Sequence, residues 1–162
     1  MERLVILGAG ESGVGAAILG KQKGFEVFVS DKSEIKKEYK DVLKHFEIDW
    51  EELKHSEELI LNADIIMKSP GIPERVPLVV KAVELNIPVI SEIELASKYT
   101  DAFIVGITGS NGKTTTTMLT HHILNNGGLD VGIATGSRIS VVADVVFAVV
   151  PIHVSGCICC RC

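Results

Sequence analysis

The chain has 162 residues, 46% of them hydrophobic and 23% charged, enough for one ordinary globular core, or one core and part of another. A net charge of -5 gives no overall basic field, so nucleic acid is excluded as the main partner and a phosphate ligand must be held locally. All four cysteines fall in the last six residues, which excludes a disulfide framework for the main body and suits a reducing compartment.

Met1, Glu2 and Arg3 lead directly into an apolar strand at residues 4–7, without the charged region, long apolar stretch and cleavage site of a signal peptide. A cytoplasmic protein is expected. Gly8-Ala9-Gly10-Glu11-Ser12-Gly13 follows, and apolar residues then recur through Val14, Ala17 and Ile18. The pattern is strand, glycine turn, helix. Residues 26–30 are β-rich and end at Asp31, after which Ser33 is expected to cap a helix with apolar positions Ile35, Tyr39, Val42, Leu43 and Phe46.

A further strand at 64–67 stops in Lys68-Ser69-Pro70-Gly71-Ile72-Pro73, where two prolines and a glycine force a turn. Pro77 suits the first position of the next helix, which leads to a strand at 88–90 and a short helix at 92–98. With the strand at 102–107, five strand signals in about 105 residues indicate an α/β fold with a Rossmann-like parallel sheet. A polar step at Tyr99, Thr100 and Asp101 divides this domain, residues 1–99, from a second βα unit that begins a phosphate-loop-type α/β domain over 100–136. Residues 137–162 form a compositionally divergent tail. The apolar run at 139–152 is too short for a membrane span and contains Asp144 and Pro151.

Two motifs carry chemistry. Gly8, Gly10 and Gly13 match G-x-G-x-x-G between strand and helix, and Asp31 at the end of the second strand fits the ribose-binding acid of an NAD enzyme. The same glycines also permit a tight turn and nothing more. Glu11 opposes a pyrophosphate seated directly on this loop, because it puts a carboxylate where the helix end attracts anions. Ser12 and the surrounding amides could hold a sugar-nucleotide diphosphate in a different geometry. In the second motif, Gly109, Gly112, Lys113 and Thr114 follow a strand and open a helix. Backbone amides, a lysine charge and a threonine hydroxyl thus converge on one point. Ile107 stands where the general phosphate loop has its first glycine, so this loop is a variant.

That variant, Gly106-Ile107-Thr108-Gly109-Ser110-Asn111-Gly112-Lys113-Thr114-Thr115, resembles the ATP loop of the Mur ligases and their folylpolyglutamate synthetase relatives. The first glycine loop together with Ser69-Pro70-Gly71-Ile72-Pro73 resembles the D-glutamate-adding branch of that family, over residues 1 to 134. The resemblance implies that Gly10, Glu11, Ser12, Gly13, Asp31, Lys32, Ser69, Pro70 and Gly71 surround the UDP end of UDP-N-acetylmuramoyl-L-alanine. It also implies that Gly109, Ser110, Asn111, Gly112, Lys113, Thr114 and Thr115 hold ATP, with Thr114 on Mg²⁺ and Lys113 and Thr114 acting in catalysis. The implied reaction joins D-glutamate to the UDP substrate through an acyl phosphate in peptidoglycan precursor synthesis, by an enzyme monomeric at full length. A nicotinamide-dependent oxidoreductase and a noncatalytic UDP-sugar-binding module are the alternatives.

Beyond Gly132, Ile133 and Ala134 the family's continuation is not recognisable, and the valine-rich, cysteine-ended tail reads as a truncated or frame-disrupted product without ligase turnover. Cys157, Cys159, Cys160 and Cys162 give overlapping C-x-x-C spacings. Four ligands in six consecutive residues do not readily close a tetrahedron, so no metal is assigned there. His121 and His122 are expected in surface or packing roles. The stretch 139–150 is an aggregation hazard if it cannot join a sheet.

Overall fold

A computed structural model describes residues 1–100, 103–139 and 142–150, and the chain divides into two compact units between Leu95 and Ala96. In the first unit, β1 (Arg3–Leu7), β2 (Glu26–Ser30), β3 (Asp49–Glu51), β4 (Ile65–Lys68) and β5 (Val89–Ile90) form one sheet in the order β3-β2-β1-β4-β5. Every pairing is parallel. Parallel strands need crossover connections, which α1 (Glu11–Gln22), α2 (Lys37–His45), α3 (Glu57–Ile60) and α4 (Pro77–Glu84) supply. The unit ends in α5 (Glu92–Ser97), which spans the division.

β1 is the central strand, and Leu4, Val5, Ile6 and Leu7 are all essentially inaccessible to solvent, as a strand covered on both faces requires. Val5 and Leu7 pack with Phe28, Ile60, Ile66, Leu78, Val79 and Ala82 in one cluster. Leu4 and Ile6 alternate to the opposite face. The chain lays β2 and β3 on one side of β1, then returns to lay β4 and β5 on the other. The order therefore reverses between β1 and β4, and the crevice at the carboxyl ends of these strands is where ligands enter sheets of this kind.

Two local features differ from the sequence reading. β3 carries no apolar pattern, because Asp49 is exposed, Trp50 half-buried and Glu51 buried through hydrogen bonds; it is a strand of this sheet that the sequence reading did not place. Ser33 does not cap α2, which starts at Lys37 with Lys36 as its N-cap and no side-chain cap. The Ser33 amide is instead taken by Asp31 Oδ1 at 2.7 Å and the Ile35 amide by Glu52 Oε2 at 2.8 Å, which holds these residues out of the helix. Pro77 does open α4 at its first position.

The second unit contains β6 (Phe103–Thr108), α6 (Lys113–Asn126), β7 (Gly132–Ile139) and β8 (Val142–Val150). Its sheet has the order β6-β8-β7 with both pairings antiparallel. The link from β7 to β8 is two residues long in sequence, too short for the crossover that parallel pairing needs. Most of the stretch 139–150 thus joins a sheet. α6 buries Thr117 and leaves Met118, Leu119 and Ile123 exposed. No helix among the described residues is long and apolar enough to cross a membrane, and they hold no cluster of three potential metal ligands. The four cysteines lie outside the described residues.

Candidate functional site

Gly8, Asp31 and Ser69 leave the carboxyl ends of β1, β2 and β4 side by side, because Leu7 is in register with both Ser30 and Lys68. Backbone bonds continue the sheet for one more step: the Gly8 amide donates to Ser30 O at 2.9 Å and the Ser69 amide to Leu7 O at 3.0 Å. Gly8 has φ +100, and a Cβ there would lie 2.6 Å from Ser69 Oγ, so glycine is required both by conformation and by the approach of the neighbouring loop. Gly13, in the first turn of α1, is tighter still. Its Cβ would lie 1.9 Å from Gly8 O.

Gly10 is different. It caps α1 with φ -74, and a Cβ there would meet nothing within 4 Å. Neither backbone strain nor protein packing calls for glycine at this position, and the space beside it is open to a ligand. Glu11 and Ser12 are exposed in the first turn of α1, where helical amides have no intrahelical acceptor.

Asp31 acts as a clamp. Its Oδ2 accepts from the Ala9 amide at 2.6 Å and its Oδ1 from the Ser33 amide at 2.7 Å, so one half-buried carboxylate joins the glycine loop to the exit of β2. Lys32 beside it is exposed. Across the crevice, residues 69–72 form a turn closed by the Ile72 amide on Ser69 O at 3.0 Å. Ser69 is half-buried, and Pro70 and Gly71 are exposed. The Lys68 ammonium donates to Ile72 O at 2.7 Å.

A polar network missed by the sequence reading lies at the carboxyl ends of β2 and β3. Fully buried Ser30 donates through Oγ to Glu51 Oε1 at 2.8 Å and stands 2.6 Å from His55 Nδ1. Ser56 donates its amide to Glu51 Oε1 at 2.7 Å and its hydroxyl to Oε2 at 2.6 Å. Since Ser30 has one proton and gives it to Glu51, the imidazole carries its own on Nδ1 and donates it to Ser30 Oγ. The members lie 21 to 26 residues from Ser30 in sequence, with no apolar period or motif to signal them.

Burial by itself raises the Glu51 carboxyl, but the Ser56 hydroxyl and amide, the Ser30 hydroxyl and the Lys54 ammonium outweigh it and bring the pKa below 4.5. Burial lowers the His55 imidazole below 6.5, Lys32 reinforcing it and Glu51 and Asp31 opposing it. The Lys40 ammonium and the Ile35 amide hold the Glu52 carboxyl down as well. Each shift is downward, so the folded state binds fewer protons than the unfolded chain between the two pKa values. The stability due to His55 is complete above pH 6.5 and is lost as pH falls through its lowered folded value; that due to Glu51 and Glu52 is complete above 4.5 and is lost below it. Urea midpoints read by the single tryptophan, Trp50, should fall in two steps on acidification, and His55→Gln should remove the first. A constant midpoint between pH 7 and pH 5 would contradict this assignment.

In the second unit, Gly109, Ser110, Asn111 and Gly112 join β6 to α6, with Gly112 as a left-handed N-cap at φ +75. Only glycine enters that conformation freely, and the first amides of α6 have no acceptor within the helix. Lys113 Nζ donates to Gly109 O at 2.6 Å. Buried Thr117 bonds Lys113 O at 2.9 Å, while Ser110, Asn111, Thr114 and Thr115 are exposed. His121 and His122 pair with Asn125 and Asn126 one turn on.

Residues 3–76, the stretch from β1 through β4 and its turn, match the MurD N-terminal domain family. The UDP-N-acetylmuramoylalanine–D-glutamate ligase of Bacteroides thetaiotaomicron is 62% identical over 134 residues, 83% of this chain and 30% of that enzyme. Through its N-terminal portion the chain belongs to the MurD family. The Porphyromonas gingivalis enzyme of the same name is 52% identical over 151 residues, 93% of this chain and 34% of that enzyme, so this MurD match continues past residue 134. Among solved structures, a pseudomurein peptide ligase type C from Methanothermus fervidus superposes with a TM-score of 0.54 at 32% identity, over 80% of this chain and 27% of that one. The chain thus spans about a third of the length of the MurD relatives it matches.

Proposed function

We propose that the N-terminal unit binds the UDP end of UDP-N-acetylmuramoyl-L-alanine, and that Gly109, Ser110, Asn111, Gly112, Lys113, Thr114 and Thr115 hold ATP phosphates. Both serve a cytoplasmic ligase that adds D-glutamate during peptidoglycan precursor synthesis. The observation that carries the first part is the open space at Gly10, in the glycine loop that Asp31 clamps. Glu11, Ser12, Gly13, Asp31, Lys32, Ser69, Pro70 and Gly71 surround or support that space in this reading.

Asp31 separates this reading from the dehydrogenase one. Both of its oxygens already accept backbone amides, which fits a loop clamp better than a carboxylate held ready for a ribose diol. Moreover, a dehydrogenase has no use for Gly112, Lys113 and Thr114 at a helix start.

In the second unit the donor set fits a nucleotide triphosphate: an ammonium, first-turn amides and the exposed Thr114 hydroxyl share one loop. Mg²⁺ held with Thr114 would neutralise charge on the transferred phosphoryl group. Lys113 would release Gly109 O and stabilise the same charge electrostatically. The alanyl carboxylate, a poor electrophile, is activated by taking the γ-phosphoryl of ATP, and the D-glutamate amine then displaces phosphate to form the amide. The domains are assigned as 1–99 for the UDP substrate and 100–136 as the beginning of the ATP-binding part. The 162 residues taken alone are assigned substrate binding without turnover.

Calorimetric titration with UDP-N-acetylmuramoyl-L-alanine, with NADH as competitor, tests this reading. Saturable binding of the UDP compound that NADH does not displace is expected, with no D-glutamate-dependent ADP release. Binding of NADH alone would overturn the reading in favour of the oxidoreductase.

A further inference from the structure

We infer that Lys68 is a positioning residue for the phosphate end of the nucleotide, an assignment that rests on the UDP-binding reading above. Lys68 ends β4 in register with Leu7, from which Gly8 enters the glycine loop. Its ammonium reaches over the following turn to Ile72 O at 2.7 Å, and that turn is closed beneath by the Ile72 amide on Ser69 O at 3.0 Å. The turn in turn abuts the glycine loop, since the Cβ position of Gly8 falls 2.9 Å from Ser69 Cβ and 3.9 Å from Ile72 Cδ1. Lys68 therefore braces one wall of the crevice from the strand end, as Asp31 braces the other.

Its charge has a second consequence. Glu11 stands exposed in the first turn of α1 and opposes an anion at the helix end. An ammonium at the β4 end adds positive charge at the switch point, where a diphosphate enters a sheet of this order. Ile72 O occupies one of the three ammonium donors. The class of ligand group favoured is a nucleoside diphosphate over its uncharged nucleoside.

The test compares Lys68→Met and Lys68→Arg with the parent in the full chain, reading hydrogen exchange at the Ile72 amide and calorimetric affinities for UDP and uridine. The Met variant should exchange the Ile72 amide about tenfold faster and bind UDP about tenfold more weakly, while uridine affinity stays within about twofold. Arg should restore both readouts. Should the Met variant fail to fold by its thermal transition, Lys68→Gln carries the same expectations. Parent-like UDP affinity in the Met or Gln variant overturns the assignment. If the parent binds no UDP, it is the nucleotide reading that fails, and the Ile72 exchange rate then decides the bracing role alone: unchanged exchange overturns it, faster exchange supports it.

Discussion

Gly13→Ala should destabilise the first unit by roughly 3 kcal/mol. The new methyl would sit 1.9 Å from Gly8 O and 3.0 Å from Gly8 C, and both are backbone atoms. Backbone at this point cannot yield cheaply, because the Gly8 amide is bonded to Ser30 O and the Ala9 amide to Asp31 Oδ2. Relief would require moving the start of α1 off β1, where Gly13, Val14, Ala16 and Ala17 are buried. On a domain of this size the loss corresponds to a fall in melting temperature of roughly 12 to 24 °C, readable in urea or heat through Trp50. Gly10→Ala is the matched control. It meets no protein atom and needs no unusual φ, so its cost in stability should stay within about 1 kcal/mol, while affinity for the UDP compound drops. Equal stability losses at the two glycines would show that the loop is not packed as described.

The second large effect is expected at Glu51. Glu51→Leu preserves bulk but strips the acceptors from the Ser30 hydroxyl, the Ser56 amide and the Ser56 hydroxyl, and Ser30 is fully buried. Leaving such donors unmatched should cost about 3 kcal/mol. Glu51→Gln keeps an oxygen for the Ser56 amide, whose direction is fixed, and hydroxyls can rotate to meet the new amide group. It should cost only about 1 kcal/mol, chiefly the loss of charge-assisted bonding. Both variants should lose Glu51's share of the stability change below pH 4.5. A Leu variant as stable as the parent would show that the network contributes no net stabilisation, as happens for some buried polar groups.

The elements legible from sequence are those whose signals are local. β1, α1, β2, β4 and α4 each carry an apolar run or a positioned glycine or proline, and the two glycine loops lie between strand and helix where their spacing places them. β3 was illegible because its buried residue is an acid satisfied by serines from two other segments. Ser33 has the right chemistry for a cap, but the Asp31 carboxylate two residues earlier captures its amide first. Lys68 reads locally as a strand-ending charge; its bond to Ile72 O exists only because the proline-glycine turn folds the chain back. Asp31 was visible in the sequence at the end of β2, but its clamp on the glycine loop, the Glu51 network and the Lys68 brace depend on contacts between distant segments and were not.

The Asp31 clamp bears on how a ligand would be received. A glycine-rich loop left to itself explores many backbone states, and a molecule that must first order it forfeits binding free energy as conformational entropy. Here the ordering is done during folding: Ala9 is fixed to Asp31, Gly8 to Ser30, and Gly13 leaves no slack beneath. Association at this loop should then be a docking onto a preformed surface, with a rate set by encounter rather than by loop rearrangement.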